Sequence, residues 1–499
     1  MSLRMSDDTP LAYRAAQGGL WVTASSGWQL LFGFIANIIL TRLLIPSAFG
    51  EFALAMFFAQ LVTIHQKIGF GRAFVQFRDT SGSAIGTFFV VEGLAVFAGI
   101  IFMAMLTNLL PIFGYSSGTI NVCMVLFVSL AIEGIGGIGF VLLEKGMFLK
   151  DASILRSITF PLSYIPAFWG ALQGAGVWSI VLQNMTNSIL LFIGSYLMAY
   201  WRLPHILRLT WKFDKSLAFK YLRFGVIVGA TSTAGMLFMK LDNFFVGTFV
   251  GITILGFYDR AYNTAQWPGT FCSLVISRSV FFVYSRLQDD VDRLKKTASM
   301  VTWLITTFSF PLGLVIFIVA PDLIVLLYGE AWLPSSQFLR ILIIYATLRP
   351  LHENAGILLM AMGKPQLTTR FNVIQLVILT ILGFPFTLIW GAIGTSIAVV
   401  LAFIPGLIMA YHDVEKVISY RPLSNIVPPI LVCSIIAAGY VLLNQLTPLS
   451  QVTLLLRCIT KSVYALTSFF FLLYVFQPRV TRERFFYLFA LMKKSTIIT

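Results

Sequence analysis

Charged residues are scarce in this sequence. Asp, Glu, Lys and Arg together make up 11% of its 499 residues, whereas a soluble domain carries roughly 25%. A chain with so few charges cannot cover a water-facing surface, and its mean hydropathy of +0.87 agrees with this. The composition therefore excludes an ordinary soluble globular protein.

Cysteine and histidine are also few, and neither is placed for disulfide or metal chemistry. None of the cysteines forms a C-x-x-C pair, and all lie in or beside apolar segments, as small packing residues do: Cys123, Cys272, Cys433 and Cys458. The histidines are too scattered for a metal-ligand motif: His65, His205, His352 and His412. We therefore expect no metal and no cofactor.

Acidic residues are fewer than basic ones, 20 against 35, which gives a net charge of +15. In a soluble chain this excess would suggest a nucleic-acid partner. Here the Lys and Arg residues lie between apolar runs, which is the pattern that insertion beside an anionic leaflet produces. We therefore expect contact with membrane lipids and no nucleic acid.

Long apolar runs dominate what is present, and they recur from Leu20 to Phe476. A run of about 18 or more mostly apolar residues predicts a membrane-spanning helix. About fourteen runs qualify, among them 250–282, 335–361, 368–388 and 391–411, so the sequence predicts an all-α, polytopic membrane protein. The first run follows the polar stretch Met1–Ala16 and extends to Ile45. It is too long for the core of a cleaved signal peptide, so we expect it to remain as the first helix.

The positions of Lys and Arg predict the orientation of these spans. Basic residues concentrate in alternate connections, such as 202–223 and 286–296, whereas 111–118, 170–176 and 322–334 contain none. By the positive-inside rule, the basic connections are cytoplasmic. Both ends of the chain fall on the basic side, so both termini are expected in the cytoplasm, which requires an even number of spans.

The sequence repeats itself with an offset of 206 residues. Phe49–Ala55 then aligns with Leu255–Ala261, which pairs Gly50 with Gly256, and a weaker echo, at an offset of 216 residues, joins 176–180 to 392–396. Repeated halves are common in secondary transporters, so we predict two parallel six-helix lobes followed by two helices without a counterpart. The predicted divisions are a cytoplasmic N-terminal tail at 1–14, an N-lobe at 15–212, a C-lobe at 213–418, and the last two helices with a basic tail at 419–499.

Four segments carry a resemblance to a known family: Thr41–Gly50, Leu241–Tyr262, Ser277–Asp290 and Tyr328–Trp332. In this order and spacing they resemble the signatures of the Wzx-like oligosaccharide flippases, which belong to the multidrug/oligosaccharidyl-lipid/polysaccharide exporter superfamily. The resemblance extends from about Gly18 to Met409.

The resemblance implies a transporter of the bacterial inner membrane and not an enzyme. Its two lobes would enclose a central cavity that opens to each side of the membrane in turn. The implied cargo is an oligosaccharide on undecaprenyl diphosphate, destined for lipopolysaccharide, exopolysaccharide or another polysaccharide. A polysaccharide polymerase and its co-polymerase are the implied protein partners, and coupling to protons or sodium is implied without an agreed site.

Arginines inside or beside the spans are the candidate cargo-binding residues. An anionic diphosphate requires cations in the cavity, and a planar guanidinium donates two hydrogen bonds to phosphate oxygens at once. The candidates are Arg42, Arg72, Arg260, Arg278, Arg340 and Arg349. Arg42 and Arg260 could instead extend to the membrane interface, and Arg72 and Arg278 could serve only to fix the topology.

Acidic residues in the spans are candidates for ion coupling, because an acid in apolar surroundings takes up a proton more readily. Glu92 and Glu133 have no charged neighbour in the sequence and are the coupling candidates. Three other acids lie close to a cation and are expected to form ion pairs: Asp242 with Lys240, Asp259 with Arg260, and Glu353 with Arg349.

The segment Gly134–Gly139 fits the pattern G-x-G-x-x-G. Dinucleotide binding by this pattern requires a preceding strand within a soluble βαβ unit, and neither is predicted here. We interpret the glycines as small residues that let neighbouring helices pack closely.

Two other functions are weaker alternatives to the flippase. A drug or cation exporter of the same superfamily often carries an acid in an early helix, and the first span, 18–44, contains none. A membrane enzyme of polysaccharide assembly usually carries catalytic residues on large extracytoplasmic loops. The loops predicted on that side are short and contain no histidine.

Overall fold

The structure, a computed structural model, describes residues 11–62, 71, 74–75, 81–203, 212–446 and 452–484, and every regular element in these ranges is a helix. The first seven helices are α1 (Leu11–Leu43), α2 (Pro46–Val62), α3 (Gly82–Leu109), α4 (Ser117–Lys145), α5 (Leu149–Leu172), α6 (Val177–Arg202) and α7 (Lys215–Phe249). The other seven are α8 (Ile252–Ala265), α9 (Trp267–Arg286), α10 (Val291–Tyr328), α11 (Ser335–Ala361), α12 (Pro365–Ile418), α13 (Leu423–Leu446) and α14 (Leu454–Phe476).

Each predicted span overlaps one or two of these helices. Within the described ranges, eight helices are long and apolar enough to cross a membrane. A helix satisfies its own backbone hydrogen bonds, which is what a chain in hydrocarbon requires. The chain is therefore an all-α, multi-pass membrane protein, as its composition predicted. The number of crossings and the division into lobes stay predictions.

Three predicted spans differ from the helices in an informative way. The predicted span 250–282 is divided at Gln266 into α8 and α9, and Pro268 lies in the first turn of α9, where a missing backbone N–H does no harm. Conversely, α12 runs through two predicted spans and is divided only by Gly391, with φ 61° and ψ −145°.

Gly176, which precedes α6, has nearly the conformation of Gly391, with φ 57° and ψ −127°. Glycine adopts positive φ without the steric penalty that a side chain brings. The backbone conformation before α6 therefore recurs where α12 is divided, one residue before residue 392, which the sequence echo pairs with Gly176.

Polar caps mark the starts of several helices. The Ser81 and Ser116 hydroxyls each accept a hydrogen bond from a backbone N–H of the first turn, in α3 and α4. Asp214 accepts from the N–H groups of Ser216 and Leu217 at the start of α7. A hydrogen bond from the Ser216 side chain, together with these two backbone hydrogen bonds, favours the ionised carboxylate and holds the pKa of Asp214 below its ordinary value.

The chain forms two compact units, Met1–Gly256 and Phe257–Thr499. In the first, α4 packs on α6, and the glycines of the G-x-G-x-x-G segment lie at this contact. A Cβ on Gly136 would lie 3.0 Å from Phe192 Cα, and Ser195 Oγ donates a hydrogen bond to the carbonyl oxygen of Gly136 at 3.0 Å. The interpretation as close-packing residues is confirmed for Gly136 and for Gly139, whose Cβ would lie 2.6 Å from Ser195 Oγ.

The same unit contains a second close approach, between α2 and the first turn of α8. A Cβ on Gly50 would overlap the carbonyl oxygen of Ile252, and a Cβ on Gly256 would overlap that of Pro46. Only glycine permits backbones to approach this closely.

In the second unit, α10 is the central element and contacts α11, α13 and α14. Its interior combines apolar packing with buried hydrogen bonds. Trp303 of α10 is 2% exposed, and the Tyr284 hydroxyl of α9 donates to Asn354 Oδ1 of α11 at 3.0 Å. These contacts fix α9, α10 and α11 as a scaffold for the polar groups described below.

Candidate functional site

Arg349 lies at the middle of α11, fourteen residues after Ser335, where the helix begins. Its Nε donates to Glu353 Oε1 at 2.9 Å, which confirms the predicted ion pair one helical turn apart. The side chains of Arg349 and Glu353 are 28% and 32% exposed. The pair therefore lies near the middle of the helix and is partly exposed.

Gln266 brings a second element to this pair. It occupies the break between α8 and α9, and its Oε1 accepts a hydrogen bond from Arg349 Nη1 at 2.6 Å. The Nε2 of Gln266 is buried and has no hydrogen-bond partner among the described residues. At this helix break, the oxygen of the Gln266 amide contacts the Arg349 guanidinium, and the nitrogen of the same amide is a donor without an acceptor.

His352 lies between the pair residues along α11, and its ring packs between two phenylalanines of α12. The ring centroids of Phe371 and Phe403 are 4.6 and 5.2 Å away. Its Nε2 is buried without a partner among the described residues. No role was predicted for His352, although its position in a predicted span beside Arg349 and Glu353 was a signal.

Arg260 is held by its neighbour on α8. Arg260 Nη2 contacts Asp259 Oδ2 at 2.7 Å, and both side chains are nearly buried, so this predicted ion pair is also confirmed. Asn263 Nδ2 donates to the same carboxylate oxygen at 2.9 Å. The Tyr262 hydroxyl lies 3.4 Å from that of Tyr345, which connects α8 to α11.

The other predicted arginines are dispersed. Arg340 is half-buried near the start of α11, and its Nε lies 3.4 Å from the carbonyl oxygen of Phe317 in α10. Arg42 is exposed in the last turn of α1. Arg72 lies outside the described residues, and for Arg278 the structure describes the helix but not the side chain.

The two predicted coupling acids lie in the first unit. Glu92 is half-buried on α3, and its Oε2 has no hydrogen-bond partner among the described residues. Glu133 lies on α4 within electrostatic range of Arg156 of α5, whose guanidinium is 4.6 Å from the Phe140 ring centroid. Glu133 therefore has a charged neighbour in space that the sequence did not indicate.

A buried group of charges that the sequence did not predict joins α10 to α14. Asp322 Oδ2 contacts Lys461 Nζ at 2.7 Å, and Asp322 Oδ1 contacts Arg457 Nε at 3.3 Å. The carboxylate of Asp322 and the ammonium of Lys461 are only 8% and 9% exposed. Two cations four residues apart on one apolar helix were the available signal, since such a spacing places them on one face.

A cavity of about 290 Å³ lies in the second unit between α10, α11 and α13. Its lining is almost entirely apolar and includes Phe310, Phe317, Ile343 and Ile430. Such a lining suits hydrocarbon and cannot solvate a sugar or a phosphate. Among the described residues, no group of three or more His, Cys, Asp or Glu side chains is placed to hold a metal ion.

Known proteins with similar sequences include membrane proteins and proteins of polysaccharide biosynthesis. Residues 39–337 match the family described as polysaccharide biosynthesis protein. An uncharacterized membrane protein in the cps region of Klebsiella pneumoniae is 25% identical over 407 residues, 79% of this chain and 81% of that one. Lipopolysaccharide biosynthesis protein WzxC of Escherichia coli (strain K12) is 30% identical over 239 residues, 45% of this chain and 48% of that one.

Solved structures share the fold. Lipid II flippase MurJ in an inward closed conformation has a TM-score of 0.72 at 15% identity, covering 93% of this chain and all of that one. An inward-facing multidrug resistance MATE family transporter of the MOP superfamily has a TM-score of 0.61 at 15% identity, covering 78% of this chain and 95% of that one. Since the family match spans more than half of the sequence, the chain belongs to the polysaccharide biosynthesis protein family, in agreement with its resemblance to the Wzx-like exporters.

Proposed function

We propose that this protein translocates an oligosaccharide linked to undecaprenyl diphosphate across the bacterial inner membrane. The two lobes work by alternating access, both termini are cytoplasmic, and no covalent chemistry is performed. A polysaccharide polymerase and its co-polymerase are the expected partners. The name of WzxC refers to lipopolysaccharide biosynthesis and that of MurJ to lipid II, and both names support a lipid-linked glycan as the cargo here.

The observation that carries the proposal is the place of Arg349. The helix α11 is a predicted span, and a charge at the middle of a span is expensive unless it faces a polar cavity or a partner. Arg349 and Glu353 are each about one-third exposed near the middle of α11, which supports a polar space beside the pair. A cargo with an anionic diphosphate needs such a cationic position along an otherwise apolar route.

The remaining candidates differ in whether a carboxylate already pairs with them. Arg260 is neutralised by a nearly buried Asp259, so its first role is structural, whereas Arg340 has no carboxylate within ion-pair distance among the described residues. We expect at least two of the six arginines to face the cavity, with Arg349 and Arg340 the strongest candidates. For ion coupling, Glu92 is favoured over Glu133, because Arg156 offers Glu133 a counter-ion.

The multidrug-exporter alternative shares the fold but lacks support from the residues. The helix α1 contains no Asp or Glu, so the early acid that such exporters use for proton exchange is missing from its expected place. The fold alone therefore does not favour a drug as the cargo.

The test is reconstitution of the full-length chain into proteoliposomes that contain undecaprenyl diphosphate carrying a short fluorescent oligosaccharide. Transfer between leaflets is measured by an impermeant quencher. The wild type should transfer the lipid well above protein-free vesicles, and Arg349→Ala should reduce the rate by at least about tenfold, equivalent to about 1.4 kcal/mol.

The control is Arg421→Ala, because Arg421 is also paired with a glutamate but is 77% exposed between α12 and α13. It should transfer at the wild-type rate. Arg349→Lys should recover only part of the activity, since the lysine keeps the charge and loses the fork. A wild type no faster than protein-free vesicles would overturn the proposal.

A further inference from the structure

We infer that Arg349, Gln266 and Glu353 form an oxyanion site in which the Glu353 carboxylate is a built-in competitor for the cargo's diphosphate. The inference rests on the proposed function and adds how the cargo is released. In the cargo-free protein, Glu353 holds the guanidinium. The diphosphate displaces Glu353 on binding, and Glu353 returns to the guanidinium when the cargo leaves.

The geometry at Arg349 supports an exchange of one anion for another. Glu353 uses the Nε edge of the guanidinium at 2.9 Å, and Gln266 orients the Nη1 edge at 2.6 Å. A carboxylate and a phosphate bind a guanidinium through the same planar donor edge. They therefore compete for Arg349, and each must lose contacts when the other gains them.

The amide of Gln266 shows where the second anion would bind. Its Oε1 accepts a hydrogen bond from Arg349, which leaves Nε2 as the remaining polar atom of the amide, and this donor is buried without a partner among the described residues. A buried donor without an acceptor is unfavourable, and a phosphate oxygen would supply the acceptor. Arg349 and Gln266 thus offer a charged and a neutral donor side by side.

The position of the site is suited to a transient ligand. Gln266 lies at the break between α8 and α9, and Arg349 lies on α11, so the two donors come from different elements. The pair is about one-third exposed, which leaves room for an incoming anion. A carrier must release what it binds. The Glu353 carboxylate, one helical turn from Arg349, competes with a bound phosphate and so favours its release.

The competition predicts opposite effects for two variants of the same ion pair. Glu353→Gln removes the competing charge and should bind undecaprenyl diphosphate in nanodiscs about tenfold more tightly than the wild type, while transferring the cargo more slowly because release is slower. Arg349→Ala should lose measurable binding, and Gln266→Leu, which removes the second donor at similar size, should bind several-fold more weakly.

The matched control is Glu415→Gln, which breaks the exposed pair with Arg421 and should leave both affinity and transfer unchanged. Should Glu353→Gln fail to fold, Glu353→Asp keeps the charge but withdraws it by one methylene, and should also bind more tightly than the wild type. Transfer by the wild type together with unchanged affinity in the folded Glu353 variant would overturn this inference and leave the proposed function intact. A wild type that transfers nothing would refute the function itself.

Discussion

Gly50 and Gly256 occupy reciprocal positions where α2 meets the first turn of α8. A Cβ on Gly50 would overlap the Ile252 carbonyl oxygen and lie 2.9 Å from the Gly256 nitrogen, and a Cβ on Gly256 would overlap the Pro46 carbonyl oxygen. Pro46 and Ile252 are separated by the same 206 residues as the two glycines. The residues that meet in this contact are therefore the ones that the 206-residue repeat pairs with each other. The division into two six-helix lobes stays a prediction.

Gly50→Ala and Gly256→Ala should each destabilise the protein by about 1–3 kcal/mol, because the added methyl group meets backbone atoms that cannot move aside easily. The measurement is thermal unfolding of the detergent-purified protein. Gly93→Ala on α3 is the control, since nothing lies within 4 Å of its Cβ position, and alanine favours a helix. Equal melting temperatures for all three variants would contradict the close approach.

Lys461→Met should destabilise the second unit by about 3–5 kcal/mol, because it leaves the buried Asp322 carboxylate with a poorer counter-ion. Replacing Asp322, Lys461 and Arg457 together by leucine should restore much of the loss, since no buried charge then remains. Arg293→Ala, which breaks an exposed pair with Asp290, is the control and should change the stability by less than about 1 kcal/mol. A larger loss in the triple variant than in Lys461→Met would be contrary to this account.

The basic connections predict a definite topology. Reporter fusions at Gly114 and Ser335 should be active only outside the cytoplasm, and a fusion at Lys215 only inside, because Lys215 lies in a basic connection and the other two lie in connections without Lys or Arg. Alkaline phosphatase and green fluorescent protein give complementary signals for the two sides. The reverse signal at any one of the three positions would refute the predicted topology.

The cap of α7 should depend on pH. Because hydrogen bonds lower the pKa of Asp214 in the folded protein, the cap stabilises the folded state above the carboxyl's ordinary pKa, and this stabilisation is lost as the pH falls through the lowered value. Amide exchange at Ser216 and Leu217 should therefore accelerate in acid relative to neighbouring amides. In Asp214→Asn, which keeps an acceptor and cannot titrate, the additional acid dependence should be absent.

The six arginines should respond differently to replacement by alanine. Arg260→Ala should lower the amount of protein in the membrane, since it leaves the Asp259 carboxylate nearly buried without its cation. Arg340→Ala should leave the amount unchanged and reduce polysaccharide export several-fold. Immunoblotting of membranes and assay of exported polysaccharide separate the two effects. Normal export in all six single variants, including Arg42, Arg72, Arg278 and Arg349, would refute a cationic cavity.

The helices could be predicted from the sequence because a span must be long and apolar throughout. The ion pairs Asp259–Arg260 and Arg349–Glu353 were also accessible, since their partners are one and four residues apart. The break at Gln266 was missed, although Pro268 just after it was a signal for a new helix start.

Contacts between distant residues were not accessible in this way. Gln266 and Arg349 are 83 residues apart, and Asp322 and Lys461 are 139 apart. Which polar groups meet depends on how helices rotate and pack against each other, and hydropathy carries no information on that rotation. The sequence could therefore nominate Arg349 as a candidate without indicating the amide that contacts it.

The charges shared by α10 and α14 also constrain how the chain is made. Asp322 leaves the ribosome long before Lys461 and Arg457, so its carboxylate enters the bilayer ahead of both cations. Until α14 follows, the Asp322 carboxylate of α10 is without these two cations, and an unpaired charge is expensive in lipid. We expect the arrival of α14 to end this interval, because it brings both cations to the carboxylate. We expect a nascent chain halted before α14 to insert α10 less stably than the complete chain does.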